Sequence, residues 1–158
     1  MYTVNKVLKE TRERLTLGST FVADFVGIPT ENYVDIESFG EEIWQLSVLE
    51  TVRLCVLCRS TPHDLLRGSG SGRFGSSETV IRQMEMKGMP TYFRERVDNW
   101  DALANETLWE ASDLKTYLQD EHGFGQMPLQ ALQDLCELFQ VSLMDVLTTY
   151  GRFGREQA

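Results

Sequence analysis

Apolar residues recur at helical spacing from the start of the chain. Val4, Val7, Leu8, Thr11 and Leu15 follow the i, i+3, i+4, i+7 rhythm of an amphipathic helix, with Lys6, Lys9, Arg12 and Arg14 mostly on other faces. Leu17-Gly18 ends this helix, and Ser19 is placed to cap a short second one running through Val26. Gly27-Ile28-Pro29 predicts a tight turn into a third helix over about 30–38, with Tyr33 and Ile36 facing inward. After a loop, the pattern predicts a helix over about 47–58 that buries Val48, Val52, Cys55 and Cys58. Thr61-Pro62-His63-Asp64 then reads as cap, Pro at the first helical position and an acid at the third, opening a short fifth helix. No stretch alternates as a strand does, so the fold class expected is all-α.

The same pattern occurs twice. Residues 23–66 slide onto residues 104–147 at a constant offset of 81, without a gap. Ala23 falls on Ala104, Gln45 on Gln126, Leu54-Cys55 on Leu135-Cys136, Leu57 on Leu138, Asp64 on Asp145 and Leu66 on Leu147. Around these identities the substitutions keep type: Ile36 meets Tyr117, Val48 meets Leu129, and Thr61 meets Ser142. A gapless internal period decides the architecture before any single element does. The chain therefore reads as two copies of one helical unit, packed around the pairs Ala23/Ala104, Leu54/Leu135 and Leu57/Leu138.

Between the copies, residues 68–77 (GSGSGRFGSS) have the composition of a flexible linker. Beyond it, Thr79 to Lys87 has helical periodicity, Gly88-Met89-Pro90 breaks it, and Tyr92 to Asn99 stands where the repeat needs its first helix. That helix is thus expected intact in copy one and interrupted in copy two. The expected organisation is a first unit over 1–67, a linker over 68–77 and a divergent second unit over 78–158. Tyr92, Phe93 and Trp100, with Met84, Met86 and Met89, flank the break; they are either core or an exposed apolar surface for self-association or a partner.

Composition narrows the classes. A chain of 158 residues, 42% hydrophobic, can bury one or two modest cores. There is no apolar run of about 18 residues, the length a membrane-spanning helix needs, so no membrane association is expected. The opening MYTVNKVLKETRERL has no apolar stretch of the secretory kind. Three cysteines cannot all pair, which favours a reducing compartment; the expected location is the cytoplasm. Charge is distributed unevenly. Residues 1–67 carry seven Lys/Arg against ten Asp/Glu, whereas residues 98–147 carry ten acids and one base, Lys115. Neutralising a duplex takes clustered Lys/Arg, so any nucleic acid must be met by copy one.

The segment LKETRERLTLGSTFVADFVGIPTENYVDIES, followed by SVLETVRLCVLCRSTPHDLL, resembles the Cro/CI (XRE-type, lambda-repressor-like) family of helix-turn-helix regulators. The resemblance covers about residues 4–67. It is carried by Val22-Ala23 in the second helix, Gly27-Ile28 in the turn, Tyr33, Ile36 and Glu37 in the third helix, and the Thr61-Pro62 start of the fifth. Over about 91–148 the second half looks like a degenerate copy, in which Leu108 replaces Gly27 and Leu118 replaces Glu37.

The resemblance implies a DNA-binding transcriptional regulator, a repressor acting as a homodimer on double-stranded DNA through residues 1–67. The third helix would enter the major groove. Carried onto this sequence, the base-facing positions are Thr30, Glu31, Asn32 and Ser38, with Ser19 and Thr20 near phosphate. Asn can read adenine bidentately and Glu can accept from cytosine. Copy two would serve dimerisation or a protein partner on 78–148. The alternative is an acidic protein-interaction module, antitoxin-like or immunity-type, motivated by Glu31, Glu41 and Glu42.

Other chemistry is weakly signalled. Cys55-x-x-Cys58 suggests zinc, with Cys136, His63 and His122 as further ligands, but there is no second CxxC, and the repeat sets Cys58 on Phe139, a core substitution. No metal or cofactor is expected. GSGSGRFG lacks the Lys-Ser/Thr ending and the preceding strand of a phosphate loop, and neither His63 nor His122 has a nucleophile beside it, so no enzyme is expected.

Overall fold

The computed structural model describes residues 4–66 and 78–152, and every named element among them is helical. The segment read as a linker lies outside the described residues, apart from its neighbours on either side. Copy one consists of α1 (Val4–Arg14), α2 (Ser19–Val26), α3 (Thr30–Ser38), a 3-10 helix (Gly40–Gln45), α4 (Val48–Leu57) and α5 (Pro62–Leu65). Copy two consists of α6 (Glu78–Lys87), α7 (Met89–Arg94), α8 (Trp100–Thr107), α9 (Ala111–Tyr117), α10 (Glu121–Gln126), α11 (Leu129–Phe139) and α12 (Leu143–Tyr150). Each of the five elements from α2 to α5 has a counterpart that begins 81 residues later: Ser19/Trp100, Thr30/Ala111, Gly40/Glu121, Val48/Leu129 and Pro62/Leu143. The sequence period is a structural period.

Caps explain several of these starts. Ser47 accepts the Glu50 N–H while the Glu50 carboxylate accepts the Ser47 N–H, a reciprocal capping box at α4. Thr61 and Ser142 cap α5 and α12 through the N–H of Asp64 and Asp145, as the pattern predicts. Ser19 behaves differently from expectation. The N-cap of α2 is Gly18, Ser19 is the first helical residue, and no side chain caps that end. The interruption in copy two falls at Gly88, whose φ of +85° turns α6 into α7 in a backbone region that glycine alone enters cheaply.

The two copies share one continuous core. At its centre the Val48 N–H donates to the Met127 carbonyl (2.8 Å), and the Leu129 N–H donates to the Leu46 carbonyl (2.7 Å). Subtracting 81 turns one bond into the other, so a pseudo-two-fold axis passes between Ser47 and Pro128. Reciprocal packing surrounds this axis: α4 lies on α10 and α11 lies on the 3-10 helix, while α4 meets α11 and α5 meets α12. Leu46, Val48, Met127 and Leu129 are all buried there.

Several expected pairings differ. Leu54 and Leu135 are both fully buried, but Leu57 is only half-buried and Leu138 is 38% exposed. Ala23 is buried, whereas Ala104 and Val52 are intermediate. Tyr92, Phe93, Met84 and Met89 are core, Trp100 packs partly against it, and only Met86 of that set is open to solvent. Phe93 stacks on Phe124 and lies against Tyr92 edge-on, which holds α7 beneath α10. The break in the first helix of copy two therefore folds its aromatics inward.

Because both copies contribute to one core, Leu54→Ala and Leu135→Ala should each lower stability by about 2–5 kcal/mol, the range for a large-to-small change at a buried site. Both should displace a single cooperative calorimetric transition. Two separate transitions, with each substitution moving only one, would contradict the shared core.

Candidate nucleic-acid interface

The α2–turn–α3 segment of copy one is built around Ala23 and Gly27. Ala23 is fully buried where the two helices cross, and its carbonyl accepts both the Gly27 N–H (2.8 Å) and the Ile28 N–H (3.0 Å). Gly27 ends α2 with φ +96°, and a Cβ there would lie 3.3 Å from the Arg53 guanidinium. The turn needs glycine for its backbone angle and leaves little room for a side chain. Arg53 donates from the same nitrogen to the Val26 carbonyl (3.3 Å), tying α4 to the turn.

A second tie orients α3. Arg12 donates to both carboxylate oxygens of Glu37, at 2.6 and 3.0 Å, and to the Leu17 carbonyl at 3.1 Å. One guanidinium thus fixes α1, the loop before α2, and α3, in the fork geometry that makes Arg-carboxylate pairs directional. Burial pushes the Glu37 carboxyl upward, but hydrogen bonds from Arg12 and Tyr33, together with the charges of Arg12 and Lys9, outweigh it and hold the carboxyl below its ordinary range. Sequence periodicity assigns Arg12 to the polar face and misses this role. At the equivalent positions of copy two, 81 residues on, stand Phe93 and Leu118, both fully buried. Copy two uses apolar packing where copy one uses an ion pair.

The six candidate contact residues fall into three places. Ser19 and Thr20 form the first turn of α2, and Thr30, Glu31 and Asn32 form the first turn of α3. Ser38 is the last residue of α3, about 12 Å along the helix from Thr30 at 1.5 Å per residue. Thr20, Glu31, Asn32 and Ser38 are exposed, while Ser19 and Thr30 are half-buried. Ser38 donates back to the Val34 carbonyl at 3.0 Å, so its hydroxyl lies along its own helix. Neither α2 nor α3 has a side-chain cap, although the Asn32 N–H in the first turn of α3 donates to the Pro29 carbonyl at 3.1 Å. In copy two, Asn99 caps α8 through the Ala102 N–H, and Asp101 stands in its first turn.

Charge opposes the same site. Neither α2 nor α3 contains a Lys or Arg, and Asp24, Glu31 and Asp35 are exposed on them. Phe21, Phe25, Val34 and Phe39 are exposed as well. Asn32 and Asp35 border a cavity of about 310 Å³ that continues to Glu42 and Glu50.

The cysteines lie elsewhere in function. Cys55, Cys58 and Cys136 are buried, and burial raises all three thiols, Cys58 to about 11. They are small hydrophobes of the core. No group of three or more His, Cys, Asp or Glu with metal-holding geometry occurs among the described residues.

The Arg12–Glu37 pair yields a pH dependence with a definite sign. A carboxyl depressed in the folded state stabilises fully above its unfolded value, and the contribution disappears as pH falls through the folded value. Glu37→Gln should therefore cost about 1–3 kcal/mol at neutral pH, the usual loss for a hydrogen bond to a charged group. The gap from the parent protein should narrow as pH falls below the ordinary carboxylate range. Urea unfolding of both at pH 7 and pH 3 measures this, and a gap unchanged by acid would remove the pair from the account.

Comparison of the chain with protein-family models, with curated proteins and with solved structures finds no match, so the role of this site rests on its own chemistry.

Proposed function

We propose that the chain is a DNA-binding transcriptional regulator built from two lambda-repressor-like helix-turn-helix units, of which the first meets double-stranded DNA. The observation that carries this reading is the α2–Gly27–α3 motif with two uncapped helix starts, held in register by Arg12 and Glu37. Ser19 and Thr20 would lie against phosphate, and Thr30, Glu31 and Asn32 against base edges. Occupancy of an operator would repress or modulate transcription. The chain would act as a homodimer, with copy two, the pseudo-symmetric counterpart of copy one across Ser47 and Pro128, serving dimerisation or a protein partner. Copy two itself does not read DNA, because Asn99 occupies the start of α8 and Asp101 would face phosphate.

A second reading is favoured by the acid-only surface of α2 and α3 and by exposed Phe21 and Phe25. In that reading the motif is a scaffold for binding a protein.

Gel retardation of genomic fragments at about 50 mM salt, where phosphate contacts are strongest, separates the two. DNA binding predicts retardation, a loss of about 1–3 kcal/mol of discrimination at one base pair in Asn32→Ala, and tighter, more salt-dependent binding in Glu41→Lys. No retardation at that salt, with Glu41→Lys equally inert, would overturn the DNA reading in favour of the protein scaffold.

A further inference from the structure

The turn between α8 and α9 carries an anomaly. Leu108 stands where copy one has Gly27, and it keeps the left-handed backbone, with φ +65°. A leucine there is strained. Its side chain also gains nothing by burial, since it is 92% exposed. A position that requires glycine-like backbone thus presents a large apolar side chain to solvent. Strain held at an exposed position, and supported by the structure around it, is where a binding function is to be sought.

The surroundings are built. Leu108 lines a groove of about 470 Å³ with Leu138, Thr107, Glu106, Asp134 and Glu137. Trp109 Nε1 donates to Asp134 Oδ2 at 2.8 Å and Gln130 Nε2 donates to Asp134 Oδ1 at 3.0 Å, so both oxygens of that carboxylate are fixed. Gln133 donates to Glu137 at 3.2 Å. Thr107 donates to the Leu103 carbonyl at 2.9 Å, which steadies the end of α8. Two leucines therefore form an apolar floor edged by three carboxylates. The equivalent surface of copy one has Phe25, Gly27, Arg53 and Val56 in place of Glu106, Leu108, Asp134 and Glu137. Neither the acid rim nor the protruding leucine is a property of the fold; both belong to copy two, where Lys115 is the one base between residues 98 and 147.

We propose that the Leu108–Leu138 groove is a docking site for a basic protein segment, one that places an apolar side chain on the two leucines and Lys or Arg against Glu106, Asp134 and Glu137. Charge complementarity selects the occupant. The rim is uniformly acidic within a chain of net charge −9, which disfavours nucleic acid and a second acidic surface alike. The apolar floor makes the site more than a polyelectrolyte patch, because a buried anchor gives affinity that salt does not screen.

Leu108→Gly separates binding from folding. It restores the residue that copy one uses and relieves the left-handed strain, so the melting temperature should stay equal or rise. The probe is a short fluorescent peptide with Leu and Lys at helical spacing, titrated into the full chain, with a Leu/Glu peptide as control. Saturable binding of the Lys peptide alone is expected, weakened at least about tenfold by Leu108→Gly, as truncation of an interface anchor does. Glu137→Lys should weaken it and flatten its salt dependence. Equal binding by Leu108→Gly and the parent chain would overturn the site, leaving only diffuse attraction to an acidic protein. Self-association of the parent chain in sedimentation, abolished by Leu108→Gly, would overturn the basic partner in favour of a second copy.

Discussion

Two backbone hydrogen bonds, Val48 to Met127 and Leu129 to Leu46, hold the place on which the rest of the molecule is arranged. The four residues involved are buried, so the joined core shuts water away from these N–H and carbonyl groups and the two bonds satisfy them. An unpaired buried backbone group costs free energy comparable to a lost hydrogen bond. The pairing also sits directly before the starts of α4 and α11, each the central helix of its copy. The Ser47 capping box fixes where α4 begins, and that fixes how α4 presents Arg53 to the Gly27 turn. The α2–turn–α3 segment thus owes its setting to a contact with the other copy. It is one half of a symmetric core.

Across this dyad the copies differ in how they are held together. Where copy one has Arg12 and Glu37, copy two has Phe93 and Leu118; replacing a buried ion pair by apolar residues is often neutral or favourable to stability. The ion pair in copy one retains directionality, since a forked guanidinium fixes three segments at once. Copy two gives that up and gains aromatic packing between Phe93 and Phe124. At the turn the exchange runs the other way: copy one has the unstrained glycine, and copy two keeps the same backbone with leucine.

What was legible in the sequence came from its periodicity. Helical spacing and the gapless offset of 81 place most element starts within a residue or two. But α7 runs Met89–Arg94 where Tyr92 to Asn99 is expected, because Pro90 starts a helix as readily as it ends one, and Gly40–Gln45 is a 3-10 helix where a loop is expected. Three further things escaped. A cap and a first helical residue differ by one position, which patterning cannot resolve, so Ser19 was placed one residue early. Helical periodicity says that a face is buried but not against what, so neither the dyad at Ser47 and Pro128 nor the inward turn of Tyr92 and Phe93 follows from it. Arg12 lies on a polar face and pairs with an acid 25 residues on, a tertiary contact with no local signature. The start of α3 at Thr30 was legible because a helix start follows directly from Gly27-Ile28-Pro29, whereas a contact role for Thr30, Glu31 and Asn32 comes from the resemblance alone.

The two proposals bear on each other through charge. A helix N-terminus contributes roughly half a positive charge, so the open starts of α2 and α3 together amount to about one. Glu31 and Asp35 on the exposed side of α3 set two negative charges against it. Sequence-independent attraction to a duplex is then weak, and base contacts from Asn32 and Glu31 would have to carry most of the discrimination. Copy two, with fourteen Asp/Glu against seven Lys/Arg over residues 78–158, would add repulsion toward the same DNA, screened beyond a Debye length. A basic segment docked at Leu108 would neutralise part of that field. Linkage makes the effect reciprocal: whatever the segment adds to DNA affinity, DNA adds to the affinity of the segment. On those two proposals, the strained leucine on the acidic copy would let the presence of a partner influence whether the first copy engages DNA.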